Sequence, residues 1–397
     1  MLKKKTYILW LIVLSQFAGT SLWFAGNAVL PELKEALHLD QYALSMVTSS
    51  VMLGFVAGTL TFAFFSLADR FSPVKLFFIS SLLGAACSAS IALFAKDAAS
   101  LVAFRCLTGF FMAGIYPVGM KIAADWYEKG LGKALGFLLG ALVLGTAFPH
   151  LLKDKSFHLP WKPVLYCTSA FAIAGGAIML LFVGDGPYRK TSGRFQWSAL
   201  ATIFRSKKMR QVSFGYFGHM WELYTYWGFV PVMLSLYAAK NSIALNIPLL
   251  SFLAIGAGCI SCIAGGYLSQ RFGSGKVAIV SLIISGACCI VSAFMFTFPL
   301  WAFLLVIFAW GLAVIPDSPQ FSTLVAQYAP AELKGTALTI NNSIGFFIAT
   351  ASLFLIDRIF HSEGSFGGAH TFLLLVIGPV IGLIPMLGLL TAGEKNH

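Results

Sequence analysis

Twelve long apolar runs, separated by short polar stretches, take up nearly the whole chain. They lie near 7–30, 43–66, 74–95, 99–123, 132–152, 163–183, 211–237, 246–268, 276–297, 300–325, 335–357 and 370–391. A helix needs about 20 apolar residues to cross the hydrocarbon core of a bilayer, and each run is long enough. None shows the every-other-residue alternation of a barrel strand, and lipid leaves only helices and closed barrels as spanning structures. The pattern predicts an all-α membrane protein with 12 transmembrane helices.

The polar stretches repeat. Leu67 to Lys75 reads LADRFSPVK, and 201 residues later Leu268 to Lys276 reads LSQRFGSGK. Asp125 to Ala134 precedes run five as Tyr328 to Ala337 precedes run eleven, and Pro31 and Pro231 sit near the outer ends of runs one and seven. Offsets stay between 200 and 203. An even number of spans per copy preserves direction, so the halves are expected to be parallel six-helix repeats related by an axis along the membrane normal. The longest polar stretch, rich in Gly, Pro, Ser and basic residues, falls between runs six and seven. The expected organisation is an N-terminal six-helix bundle at 1–184, a solvated cytoplasmic linker at 185–210 and a C-terminal six-helix bundle at 211–397.

Charge adds orientation. Only 11% of residues are charged, against about 25% in soluble domains, which leaves no room for a soluble catalytic domain. The net charge of +12 raises the question of a polyanionic partner. Its distribution answers it: with the N-terminus inside, 19 of the 27 basic residues fall on the inner side, 7 on the outer, and Arg105 within a span. That asymmetry is the positive-inside pattern. It predicts cytoplasmic N- and C-termini, a multi-pass protein of the cell inner membrane, the lipid bilayer as partner and no nucleic acid. The opening MLKKKTYILWLIVL reads as an uncleaved first span, because the apolar stretch outruns a signal core. Cys259 and Cys262 have no second pair to complete a zinc site, and His150, His158, His361 and His370 are scattered with no H-E-x-x-H spacing. Neither a metal nor a cofactor is expected.

Two parallel six-helix halves carrying this repeated loop resemble the major facilitator superfamily of secondary transporters. The family's loop between spans two and three reads G-x-L-A-D-R-x-G-R-K; this chain supplies Leu67, Ala68, Asp69, Arg70 and Lys75, with Ser66 and Ser72 where glycine is usual. The second copy has Gly266, Arg271, Gly273 and Lys276, with Gln270 in place of the acid. Arg105, Gly109 and Gly114 are similar to the family's R-x-x-x-G pattern in span four, and the overall style is nearest the bacterial nitrate/cyanate-permease-like branch. The resemblance implies the major facilitator fold, a monomer, and a gating loop that helps hold the inner side shut. Asp69 would pair with a basic residue or cap a helix end on the other half, while Arg70 and Lys75 would meet lipid phosphate or helix carbonyls; Arg271 and Lys276 are the matching gating candidates of the second copy. The plain alternative is that these four cations serve topology alone.

Ionised side chains inside a bilayer are costly, so each is weighed by itself. Glu222 and Asp317 lie in spans seven and ten, with Arg105 as their counterpart in span four and Lys121 near that span's inner end. Helical spacing sets His219, Glu222 and Tyr226 on one stripe of span seven, Gln16, Thr20, Trp23 and Asn27 on span one, and Arg105, Thr108, Met112 and Tyr116 on span four. Span ten adds Trp310, Asp317 and Gln320, and span eleven Asn341 and Asn342. The resemblance implies that spans one, four, seven and ten line a central cavity, and these are the spans with the strongest polar residues. The plain readings are packing for the tryptophans, a hydrogen-bonded bundle residue for His219, inter-helix bonds for the asparagines, and a helix break for Pro316 and Pro319.

The candidate substrate-binding residues are therefore Trp23, Asn27, Arg105, Tyr116, His219, Glu222, Tyr226, Trp310, Asp317, Gln320 and Asn342. Glu222 and Asp317 are the candidates for proton coupling, since carboxyls withdrawn from water take up protons more readily. Protonation would release the acid's hold on Arg105 or on substrate, and the halves would rock in alternating access. Aromatic side chains would hold an organic body and Arg105 an anionic group. The expected function is proton-coupled secondary transport of a small carboxylated or zwitterionic solute. The alternatives are a uniporter, exchanger or exporter of the same fold, and, from other classes, a non-transporting sensor or an embedded enzyme. A sensor would be expected to bring a signalling domain, and an enzyme a catalytic cluster that the motifs do not supply.

Overall fold

A computed structural model describes residues 2–127, 131–157, 159–189, 205–330, 333–362 and 368–393. Within them every regular element is a helix. The core of the expected linker, 190–204, lies outside the described residues, as do Lys129, His158 and Lys395. The chain forms two compact units, Met1–Arg194 and Phe195–His397.

The first unit opens with α1 (Leu2–Thr20). It gives way to a turn and then to the short α2 (Ala25–Ala28) and α3 (Leu30–Ala36), so the run at 7–30 is a broken helix. It continues through α4 (Ala43–Phe64), α5 (Leu67–Arg70), α6 (Pro73–Phe94), α7 (Ala98–Met112), α8 (Tyr116–Trp126), α9 (Leu131–Leu152) and α10 (Trp161–Ile178). Small residues set its tightest crossing: a side chain on Gly54 or Gly109 would collide with the carbonyl of Cys106 or Val51, so α4 and α7 meet backbone to backbone.

The second unit runs α11 (Lys207–Lys240), α12 (Ile247–Gly256), α13 (Gly258–Phe272), α14 (Ser274–Val291), α15 (Leu300–Ala313), α16 (Ser318–Tyr328), α17 (Lys334–Phe360) and α18 (Ile377–Gly393). Here Gly218 and Gly378 bring α11 and α18 backbone to backbone, and Gly311 does the same for α15 against Ala254 of α12.

Spans four and ten break at matching places. Ala113, Gly114 and Ile115 turn back to the carbonyls of Phe110, Phe111 and Met112, and Ser318 turns back to Ile315. Pro117 and Pro319 open the helices that follow, where a missing N–H costs nothing. Pro316 lies in the second break.

Ten helices among the described residues are long and apolar enough to cross a membrane. They correspond to ten of the twelve runs. The other two are the shorter apolar helix Tyr7–Thr20 and α11, which has 34 residues but carries His219 and Glu222 in its middle. Large apolar side chains face outward over both units, among them Leu181, Ile260, Trp301 and Ile384, each about 70% exposed. A soluble protein does not display that much apolar surface; a hydrocarbon environment requires it.

Candidate functional site

In the first unit α7 starts at a reciprocal cap, Asp97 with Ser100, which places Arg105 two turns inside. Arg105 is fully buried. Its Nε donates to Val47 O at 3.3 Å, Nη1 to Leu22 O at 3.2 Å and Nη2 to Trp23 O at 2.7 Å. Leu22 and Trp23 lie in the turn that interrupts span one, beyond the last residue of α1, so their carbonyls need donors from elsewhere. The guanidinium supplies them, and charge-assisted bonds of this kind contribute about 1.5–3 kcal/mol each. In this structure Arg105 ties the broken first span to spans two and four. Asn27 donates to Thr48 Oγ1 at 2.6 Å, Trp23 packs edge-on to Phe55, and Tyr116 is half-buried at the start of α8.

The loop of the first unit also finds its partner at home. Asp69 pairs with Lys121 at 3.2 Å, and Lys121 reaches Asp125 at 3.5 Å. The basic residue that meets Asp69 is thus Lys121 on span four of the same half, with Asp125 one helical turn further along α8. Residues 184–189 add a strap: Ser72 donates to Asp185 at 2.8 Å, Arg189 to Asp69 O at 3.1 Å and Phe71 O at 2.7 Å, and Trp126 to Gly184 O at 3.1 Å. The linker's first residues are thus hydrogen-bonded to the first unit while Asp185, Pro187 and Arg189 stay exposed. Arg70, Lys75, Arg271 and Lys276 are exposed.

In the second unit Glu222 projects from the middle of α11 and is buried. Three side chains close on it: Trp310 Nε1 at 2.6 Å, Ser285 Oγ at 2.9 Å and Cys289 Sγ at 3.3 Å. One turn earlier on α11, His219 Nδ1 lies 2.9 Å from Asp317 Oδ1, both residues 1% exposed. Asp317 closes the break in span ten, immediately before α16. Sequence spacing set His219 and Glu222 on one stripe; the structure gives them different partners. His219 Nε2 is buried with no hydrogen-bond partner, and so is Asn341 Oδ1. Gln320 is buried, and Asn342 is half-buried.

Tyr226 and Trp310 are fully buried with ring centroids 4.7 Å apart, and Tyr226 donates to Ile307 O. Trp23 is likewise buried. Tyr226 and Trp310 pack together and orient the Trp310 N–H toward Glu222. Sequence reasoning did not find Ser285 and Cys289, because a serine and a cysteine in an apolar helix carry no signal until a neighbouring helix brings an acid against them. Among the described residues no group of histidine, cysteine and acidic side chains is arranged to hold a metal.

An all-helical chain with this loop and these buried charges can be set beside known proteins. Over 130 residues it is 31% identical to GudP of Escherichia coli, a probable galactarate/D-glucarate transporter, covering 32% of this chain and 28% of that protein. The crystal structure of the human organic anion transporter TETRAN shares its fold with a TM-score of 0.72 at 14% identity, over 96% of this chain and 99% of that one. An inward-facing, unoccupied bacterial homologue of the human lysosomal transporter Spinster gives 0.71 at 13% identity, over 96% of each chain. Residues 9–353 match the Major Facilitator Superfamily, and the chain belongs to that superfamily.

Proposed function

We propose that the protein moves a small carboxylated organic solute across the cell inner membrane by alternating access, coupled to protons, with both termini cytoplasmic. The observation that carries this reading is the pair of acids inside the second unit. An intramembrane carboxyl is costly and persists where it has work to do or a partner to hold. Glu222 is held by three neutral donors, and Asp317 by an imidazole that can itself gain or lose a proton. A proton arriving at either acid therefore changes a hydrogen-bond network without breaking the main chain. The unpartnered Nε2 of His219 offers a group for a solute carboxylate or for the proton itself.

The partial match to a probable galactarate/D-glucarate transporter makes dicarboxylic sugar acids the first solutes to test. Purified protein in proteoliposomes, with an imposed pH gradient, should accumulate such an acid and ignore the corresponding neutral sugar. Glu222→Gln and Asp317→Asn should each lower proton-driven accumulation about tenfold or more while exchange across the membrane persists. Full accumulation in both variants would overturn the coupling scheme in favour of uniport or exchange.

A further inference from the structure

His219 and Asp317 are covered by two rings. The helices that carry the pair, α11 and α16, run in opposite directions: His219 meets Asp317, Gly215 lies against Phe321, and Lys208 Nζ is 5.5 Å from the ring centroid of Tyr328. The Lys208–Tyr328 contact marks one end of the second unit, the cytoplasmic end in the orientation proposed above. Toward that end Tyr216 stands one turn beyond His219, and Phe321 one turn beyond Asp317, about 4.5–6 Å along each helix. Ring centroids are 5.9 Å apart for Tyr216 and His219, 6.0 Å for His219 and Phe321, and 6.2 Å for Tyr216 and Phe321. Both covering rings are buried, and each is seated against a glycine. A side chain on Gly345 would strike the Tyr216 ring, and one on Gly215 would strike Phe321 and Met386.

Beyond the rings the bundle is polar again. Ser213, one turn before Tyr216, is fully buried, and its hydroxyl has no hydrogen-bond partner. α17 runs alongside α11 in the same direction: Ser352 donates to Trp221 O and meets Thr225, and Gly345 lies against Tyr216 and Met220. That register sets Asn341, one turn before Gly345, level with Ser213 and on the side of α17 that faces α11. Asn341 Oδ1 is buried without a partner as well, as is His219 Nε2. Three buried, unpartnered polar atoms thus follow one another along the bundle, with two rings between the first and the other two. A hydroxyl and a carboxamide set opposite each other among apolar helices are costly unless water joins them. The other titratable groups beside the pair are already held: Glu222 on α11 by Trp310, Ser285 and Cys289, and Cys262 on α13 by Ile315 O at 3.9 Å.

We propose that Ser213 and Asn341 bind water and form the inner mouth of a proton path to Asp317, with Tyr216 and Phe321 as its barrier. The inference rests on the proton-coupled reading above and gives that reading a route. Protonated Asp317 hands its proton to His219 Nδ1, while Nε2 gives up its own to water that enters when the rings part. The imidazole stays neutral with its tautomer exchanged, and the Asp317 carboxylate is left ionised. Uptake from the same side runs the steps in reverse. While the rings are packed, no water reaches Nε2, and protons do not run through uncoupled.

The test uses the full chain in proteoliposomes with a pH-sensitive dye inside, an imposed membrane voltage and no solute, so it does not depend on what is carried. Wild type should be nearly proton-tight. Phe321→Ala should raise proton permeability about tenfold or more. Adding Asp317→Asn to it should return the leak to the wild-type level, and so should adding Ser213→Ala with Asn341→Leu. Should Phe321→Ala fail to fold, Tyr216→Leu opens the same barrier. The proposal is overturned if neither ring variant leaks, if the leak survives Asp317→Asn, or if it survives loss of the two polar groups. A wild type that accumulates no acid, with the leak pattern as expected, would sink the transport reading and leave the proton path standing.

Discussion

Arg105, fully buried in the first half, ends its donors on three main-chain carbonyls, whereas Glu222 and Asp317, buried in the second half, meet side chains. A carbonyl in a fixed turn neither titrates nor rotates away, so Arg105 acts as a rivet. An indole, a hydroxyl, a thiol and an imidazole can each turn or exchange protons, so the acids sit in networks that can change state. The loops differ in the same sense. Asp69 is engaged by Lys121, and its loop is strapped by residues 184–189, whereas the second copy has Gln270 at the matching place and an uncapped helix start after it. The contrast is between these three interior charges: the arginine is fixed by backbone carbonyls, and the two acids are met by side chains that can turn.

That contrast is open to measurement. The largest effect is expected for Arg105→Ala, which strips donors from buried carbonyls and should cost at least about 3 kcal/mol. Thermal unfolding in detergent would show it as a loss of folded protein, and Arg105→Lys, with one point charge in place of a planar fork, should rescue only part. A stable Arg105→Ala protein with altered solute selectivity would break the contrast, since it would place Arg105 in recognition. Next comes Glu222→Gln, which keeps an acceptor for Trp310. It should leave unfolding nearly unchanged while proton-driven uptake falls by about tenfold or more, the scale of 1.4 kcal/mol. Destabilisation as severe as that of Arg105→Ala would make Glu222 a rivet too. His219→Gln and Asp317→Asn, singly and together, should show a coupling of about 0.5–3 kcal/mol in a double-mutant cycle; additive effects would mean that the pair does not act as one. The smallest effect on stability, below about 1 kcal/mol, is expected for Asp69→Ala and Lys121→Ala. Both should reduce transport alike with insertion intact, and a difference between them would point to a partner for Asp69 other than Lys121.

Much of the architecture was readable before any coordinates. The apolar runs, the repeated loop and the asymmetry of basic residues all follow from what lipid excludes, and exclusion acts on each segment separately. Runs one and seven were the exceptions in the structure, for opposite reasons. Run one is apolar enough but breaks at a turn held by Arg105, which lies more than 80 residues away. Run seven is long enough but too polar in its middle, because Glu222 and His219 are there.

The partners of the buried charges were not readable. Spacing put His219, Glu222 and Tyr226 on one stripe, and that is all a single helix can say. Which of them meets Trp310, Ser285 or Asp317 depends on how α11 is rotated against α14, α15 and the span-ten break, and that rotation is set by glycine contacts such as Gly218 with Gly378. The sequence by itself therefore determined that the chain crosses a membrane repeatedly in two matched halves, and where its few interior charges fall. Only the tertiary structure decided that Arg105 is bound to backbone while Glu222 and Asp317 are bound to side chains, because a hydrogen bond between helices depends on their mutual rotation and depth, which no local pattern encodes.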